Sequence, residues 1–269
     1  MPQSPPGEVV VTPAVLRHRP LPDHRGADSK YDRGVALVIG GSAETPGSVL
    51  LAGVAALRVG AGKLQIGTAA TMAAGLAVAV PEARVFALAE GDGGSLDPGA
   101  ADRLAPFAAG ADAVLVGTGS FDHGSTGELL RRIVAHVDDG VLVVDAAAIP
   151  VLGDDPKVLE PLRGRAVVMP NHKEMAELLD RPLDAVAADP VAAVTEAVDR
   201  LGVTVTLRGP ETWTSAPGER IFRDGGGSSG LATSGSGDVL AGAITGLAAR
   251  GADPLTAALW ATSSHFAAG

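Results

Sequence analysis

The 269-residue chain contains no cysteine. Disulfides, thiolate metal sites and cysteine nucleophiles are therefore excluded, which agrees with a reducing, cytoplasmic setting. Aromatic residues make up only 3% of the chain against 46% hydrophobic residues, so the core must pack aliphatic and small side chains closely. Positive charge is also short: 21 Lys and Arg against 31 Asp and Glu leave a formal charge of −10. That balance argues against nucleic acid or an anionic membrane as a partner. Long apolar runs are missing too. The most apolar stretch, residues 68–80, is Ala-rich, holds Gly75 and is too short to span a bilayer. Residues 1–10 carry neither a basic region nor an apolar core, so no signal peptide is expected there.

What the chain does have is an alternation of short apolar runs and helical patterns. Residues 35–39, 64–67, 113–116, 141–144, 166–169 and 203–207 read as buried strands closed by Gly, Asp, Pro or Arg-Gly. Helical spacing follows at about 49–58, 128–137, 172–180, 190–201, 236–250 and 254–268. Residues 212–215 and 220–223 form a hairpin pattern around Pro217-Gly218. This order predicts an α/β protein, a three-layer αβα sandwich with a mainly parallel sheet covered on both faces. One domain over residues 1–269 is expected, with a loose tail at about 1–12 and an irregular lead-in at about 13–34. In such sheets ligands bind beyond the carboxyl ends of the strands. Gly40-Gly41, Gly117-Thr118-Gly119, Asp145, Asn171 and Arg208-Gly209 all fall at those ends.

Near the C-terminus, Thr233-Ser234-Gly235-Ser236-Gly237-Asp238 runs straight into a helical pattern. Glycines leave backbone N–H groups accessible. A helix start adds unpaired donors and partial positive charge. Together they suit a phosphoryl group. Asp238 would stand beside that anion, where a hydroxyl needs a proton acceptor; by itself an Asp there is also an ordinary cap. Asn171 and Glu174 share one helical face. They can hold waters around a Mg²⁺, or simply form a capping box. Asp145 reads as a metal or substrate contact or a solvated loop carboxylate, and Arg208 as a phosphate contact or a solvent-facing side chain.

Several patterns fail. No G-x-x-x-x-G-K-[ST], H-E-x-x-H or Cys/His cluster exists. Residues 225–230 match G-x-G-x-x-G, and 226–230 match G-x-S-x-G, but neither opens a helix after a strand.

The segments Tyr31-Asp32-Arg33-Gly34-Val35 through Gly40-Gly41-Ser42, Ala55-Ala56-Leu57-Arg58-Val59-Gly60-Ala61-Gly62, Gly117-Thr118-Gly119, Asp145-Ala146-Ala147-Ala148-Ile149, Pro170-Asn171-His172-Lys173-Glu174 and the Gly230 to Leu240 turn occur in order. Together they resemble the NAD(P)H-hydrate dehydratase family of the ribokinase-like superfamily. The resemblance implies that ADP or ATP phosphorylates the ring hydroxyl of hydrated NADH or NADPH, after which phosphate leaves and the cofactor is restored. It implies Asp238 as the base, with the amides of Gly235, Ser236 and Gly237 stabilising the transferred phosphoryl group. Ser48, Gly119, Asn171 and Asp238 would contact the hydrate. Arg208, Gly209, Pro210, Glu211, Thr212 and Gly237 would contact the adenine nucleotide, with Mg²⁺ near Glu174 through water. A ribokinase-like small-molecule kinase with a stable phosphorylated product is the alternative. A homo-oligomer is expected, and any epimerase partner would be a separate protein.

Overall fold

The central strands are apolar at every position because both faces of the sheet are covered, and successive side chains point to opposite sides. The computed structural model describes residues 7–26 and 28–269. Its strands are β1 (Glu8–Val10), β2 (Val35–Ile39), β3 (Lys63–Ala69), β4 (Ala83–Leu88), β5 (Ala113–Val116), β6 (Val141–Val144), β7 (Ala166–Val168), β8 (Thr204–Leu207), β9 (Thr212–Ser215) and β10 (Ile221–Asp224). The helices are α1 (Pro13–His18), α2 (Gly47–Arg58), α3 (Ala70–Ala79), α4 (Ala100–Ala109), α5 (His123–Val134), α6 (Pro150–Asp154), α7 (His172–Leu179), α8 (Leu183–Ala188), α9 (Pro190–Leu201), α10 (Ser236–Ala249) and α11 (Pro254–Ala268). One ten-stranded sheet runs in the order β1-β10-β9-β8-β7-β6-β5-β2-β3-β4. It is parallel except for the β8–β9 and β9–β10 pairs.

Alternation along β2 shows the layering. Leu37 and Ile39 join Leu104, Leu130, Ile133 and Val194 of α4, α5 and α9 on one face. Ala36 and Val38 join Ala52, Ala56, Ile244 and Ala258 of α2, α10 and α11 on the other. The expected αβα sandwich is therefore present.

Residues expected as a loose tail are partly ordered. Glu8–Val10 pairs in parallel with β10 at the sheet edge. A charge explains it: Arg223 Nε on β10 lies 3.1 Å from Glu8 Oε1, a side chain almost wholly buried. Residues 1–6 lie outside the described residues. The expected irregular lead-in contains α1, capped by Thr12, whose hydroxyl accepts the Val15 amide at 3.3 Å. No helix is long and apolar enough to cross a membrane among the described residues.

Two features of this fold position a site. After β2 the chain steps to β3 and β4, then returns to β5 on the other side of β2. The connections above β2 and β5 therefore diverge, leaving a crevice at the carboxyl ends. Helix α10 packs tightly on α2, since a Cβ at Gly242 or Gly246 would overlap the carbonyl oxygens of Ala52 or Ala56. Small residues four apart let the two backbones touch, which fixes where α10 begins.

Candidate active site

The crevice above β2 and β5 is lined by hydroxyls and glycines. The Gly41 amide donates to the Thr118 carbonyl at 2.8 Å, tying the two loops together. Thr45 donates its hydroxyl to the Gly119 carbonyl at 2.7 Å, and Ser42 Oγ lies 3.0 Å from Thr45 Oγ1. Gly119 has φ +67°, and a Cβ there would sit 2.6 Å from the Ser48 Cβ. A side chain at residue 119 would fill the space beside Ser48. Thr118, fully buried, donates its hydroxyl to Asp238 Oδ1 in a short bond. The structure thus brings Ser48, Gly119 and Asp238 to one crevice.

Asp238 lies in the first turn of α10, with Gly235 at the N-cap in a left-handed conformation, φ 86°. No side chain caps this helix. The Ser236 amide makes a long bond, 3.3 Å, to the Thr233 carbonyl, so it is less available than the glycine amides. The Ser236 hydroxyl is hydrogen-bonded to His265 Nε2 of α11 at 3.0 Å. Burial, helped by the Arg208 charge, pushes the His265 pKa down, which keeps the ring neutral. An uncapped amino terminus retains donor capacity for an anion.

On the other flank of this turn lies a buried charge cluster. Arg208 Nη2 is 2.9 Å from Asp145 Oδ1 and 3.2 Å from Glu174 Oε2. Asp145 is therefore no solvated loop carboxylate; it is 2% exposed. Arg208 likewise turns inward instead of facing solvent. Burial raises the Asp145 pKa to about 6, against the lowering pull of Arg208, with Glu174 and Asp238 adding to the rise. Burial works against the Arg208 charge, yet Asp145, Glu174 and Asp238 together raise its pKa. A Cβ at Gly237 would overlap Arg208 Nη1, so the guanidinium occupies the place a side chain would take beside the helix start.

Asn171 and Glu174 form a complete capping box on α7. Asn171 Oδ1 accepts the Lys173 and Glu174 amides, both at 2.9 Å. Glu174 Oε2 accepts the Asn171 amide at 2.8 Å and also meets Arg208. Glu174 is thus already engaged by two donors. Among the described residues, no group of three or more His, Cys, Asp or Glu can hold a metal ion.

A cleft of about 820 Å³ opens on this charged flank. Arg208, Gly209, Pro210, Thr212, Ser236 and Gly237 line it, as do Asn171, His265 and Phe266. Asn171 thus stands on the cleft wall, apart from Ser48 and Gly119. Glu211 does not line the cleft; its carboxylate pairs with Arg223 Nη1 at 2.5 Å. Residue-by-residue reading missed two members of the site. Thr118 was seen only as part of a glycine turn, and its partner Asp238 is distant in sequence. His265 sits in a largely apolar, Ala-rich helix with no motif around it; only the fold brings α11 to the α10 start.

A ribokinase-like superfamily protein from Enterococcus faecalis superposes with a TM-score of 0.82 at 22% identity, covering 98% of this chain and 88% of that one, which establishes the fold. The ADP/ATP-dependent NAD(P)H-hydrate dehydratase of Bacillus subtilis, co-crystallized with ATP/Mg²⁺, superposes with a TM-score of 0.74 at 26% identity, covering 95% of this chain and 86% of that one. The ADP-dependent (S)-NAD(P)H-hydrate dehydratase of Xanthomonas campestris is 42% identical over 96% of this chain and 86% of its own length. Residues 36–269 match the family described as NAD(P)H-hydrate dehydratase. A match of that extent, agreeing with the segments that first suggested it, makes this chain a member of the NAD(P)H-hydrate dehydratase family.

Proposed function

We propose that the protein restores NADH or NADPH from the hydrated forms, using ADP or ATP as phosphoryl donor. The observation that carries this reading is the position of Asp238 in an uncapped first turn, with a hydroxyl-lined crevice on one flank and a cleft of about 820 Å³, roomy enough for a nucleotide, on the other. The hydrate's ring would lie against Ser48 and Gly119, its hydroxyl beside Asp238. Asp238 takes the hydroxyl proton while the new P–O bond forms and the donor's terminal P–O bond breaks. The Thr118 hydroxyl holds the carboxylate in place. Amides of Gly235 and Gly237 face the transferring group, where preorganised donors lower the barrier. The phosphate then leaves with the ring oxygen, and a ring proton is lost to restore the double bond. Overall, water is removed and one phosphate is cleaved from the nucleotide.

Residues 208–210, with Thr212, receive the nucleotide along the cleft wall. Magnesium would enter as the nucleotide complex and neutralise phosphate charge, with Glu174 reaching it through water. An epimerase would supply the reactive epimer of the hydrate.

Incubating hydrated NADH with ADP and Mg²⁺ should restore NADH absorbance with release of AMP and phosphate. No recovery with either ADP or ATP removes this reading. A stable phosphorylated product, seen by mass spectrometry, would favour a kinase instead.

A further inference from the structure

We propose that Asp145 is a positioning residue that holds the Arg208 guanidinium against Gly237, so that this cation faces the terminal phosphate of the donor. The inference rests on the proposed phosphoryl transfer at this site and assigns a role to a carboxylate that reaction does not use directly.

Three observations carry it. First, the guanidinium is placed where the helix dipole alone would not put it. A cation beside a helix amino terminus is opposed by the helix dipole, and the Arg208 side chain is only 17% exposed. Asp145 Oδ1 at 2.9 Å and Glu174 Oε2 at 3.2 Å hold it there by one nitrogen, Nη2. Its other terminal nitrogen abuts Gly237, which lines the cleft.

Second, the cation is not saturated by these partners. Arg208 Nε is buried without a hydrogen-bond partner. The Asp145 contact is close but not aligned as a hydrogen bond, leaving Oδ1 equally unpartnered. Buried polar groups normally find partners. Nε is sealed from solvent, so Nη1, beside Gly237 on the cleft wall, is the nitrogen placed to meet an arriving anion, and planar guanidinium donors suit phosphate oxygens.

Third, Asp145 is itself rigidly fixed. The next residue, Ala146, takes a left-handed φ of 48°, unusual outside glycine. Gly117 has φ 113°, and a Cβ there would overlap the Asp145 carbonyl. The Ala148 amide donates to that same carbonyl at 3.2 Å. Backbone strain of this kind persists only where surroundings enforce it. The loops after β5 and β6 thus clamp the carboxylate that clamps the arginine.

The test is a ratio of affinities. ADP and AMP binding are measured by calorimetry, with EDTA present, on the wild type, Asp145→Asn, Arg208→Met and the double variant. ADP is expected to bind the wild type more tightly than AMP. Asp145→Asn should shrink that preference by roughly tenfold while AMP affinity stays within about threefold, since only the terminal phosphate loses a partner. Arg208→Met should lose at least as much, and the double variant should match Arg208→Met because Asp145 acts through Arg208. A merely structural Asp145 would weaken ADP and AMP alike. An unchanged ratio in Asp145→Asn overturns the inference, as does a wild type that binds ADP no better than AMP. If Asp145→Asn does not fold, the double variant, which replaces the buried pair by neutral groups, decides: a ratio below that of Arg208→Met overturns it. The readout is independent of hydrate turnover, so an intact ratio effect without NADH recovery would sink the proposed reaction alone.

Discussion

The two flanks of the α10 amino terminus are built from opposite materials. On the β2–β5 side, Thr45, Ser48 and Gly119 lie over the buried Ser42 and Thr118, and the charge they meet is that of Asp238. On the β7–β8 side, Arg208, Asp145 and Glu174 crowd together within 3.2 Å contacts. A neutral flank with one carboxylate suits an uncharged alcohol that must lose a proton. A flank with a held cation and exposed amides suits phosphates. The difference shows how one helix start can serve two partners: its dipole is common to both, while the flanks decide which ligand sits where.

The strongest way to break that comparison is Asp238→Asn. It keeps shape and removes the proton acceptor, so turnover should fall roughly 10²–10⁴-fold. Calorimetric ADP affinity should stay nearly unchanged, because the proposed nucleotide site is the other flank. Near-normal kcat in this variant would move the base elsewhere.

Thr118→Val comes next. The side chain keeps its volume but loses the hydroxyl that donates to Asp238. A hydrogen bond to a charged group is worth about 1.5–3 kcal/mol, so kcat should fall roughly 10–100-fold. ADP affinity again should hold. A matching loss of ADP affinity would show that the flanks are not separable.

The two flanks were also unequally legible in the sequence. Strands β2, β5 and β6 are short apolar runs closed by Gly or Asp, and a parallel buried strand has little choice but to look so. The crevice glycines follow directly from those ends. Strand β4 was missed because Ala83–Leu88 carries Arg84 and is partly exposed near the sheet edge. Strand β1 was missed because its pairing rests on the Glu8–Arg223 contact, which no local pattern announces. The charged flank was legible as separate residues but not as a cluster. Asp145, Glu174 and Arg208 come from three strand ends, and only sheet order makes them neighbours. Asn171 and Glu174 left two readings open; both capping bonds are made, and Glu174 also serves Arg208.

Acidity gives a finer comparison. Burial raises the Asp145 pKa to about 6. Below that, Asp145 takes up a proton and loosens its hold on Arg208, so kcat should decline on the acid side with a limb near pH 6. Asp145→Asn should lack that limb. Stability should move the other way. A folded-state pKa above the unfolded value means the native protein binds more protons between about 4 and 6. The Asp145 contribution to stability is thus greatest in acid and lost as pH rises through about 6. His265, whose pKa is lowered by burial and by Arg208, acts oppositely, destabilising the fold as pH falls through its unfolded value. Thermal midpoints of wild type minus Asp145→Asn across pH 4–7 isolate the Asp145 part, with Arg208, Glu174 and Asp238 as the charges facing it. A flat difference would remove this account.

Asn171→Ala should give the smallest effect and the most discriminating one. Resemblance to the family puts Asn171 with the hydrate, whereas its side chain caps α7 and its position is on the cleft beside Arg208. Loss of an N-cap costs about 1 kcal/mol, so the thermal midpoint should drop by a few degrees. If capping is its main work, KM for the hydrate should change less than about threefold, and Asn171→Asp, which can still cap, should recover the midpoint. A rise in the hydrate KM larger than that, unaccompanied by a lower midpoint, would place Asn171 on the acceptor side after all. The neutral crevice would then extend across the helix start, and the division between the flanks would have to be redrawn at Arg208.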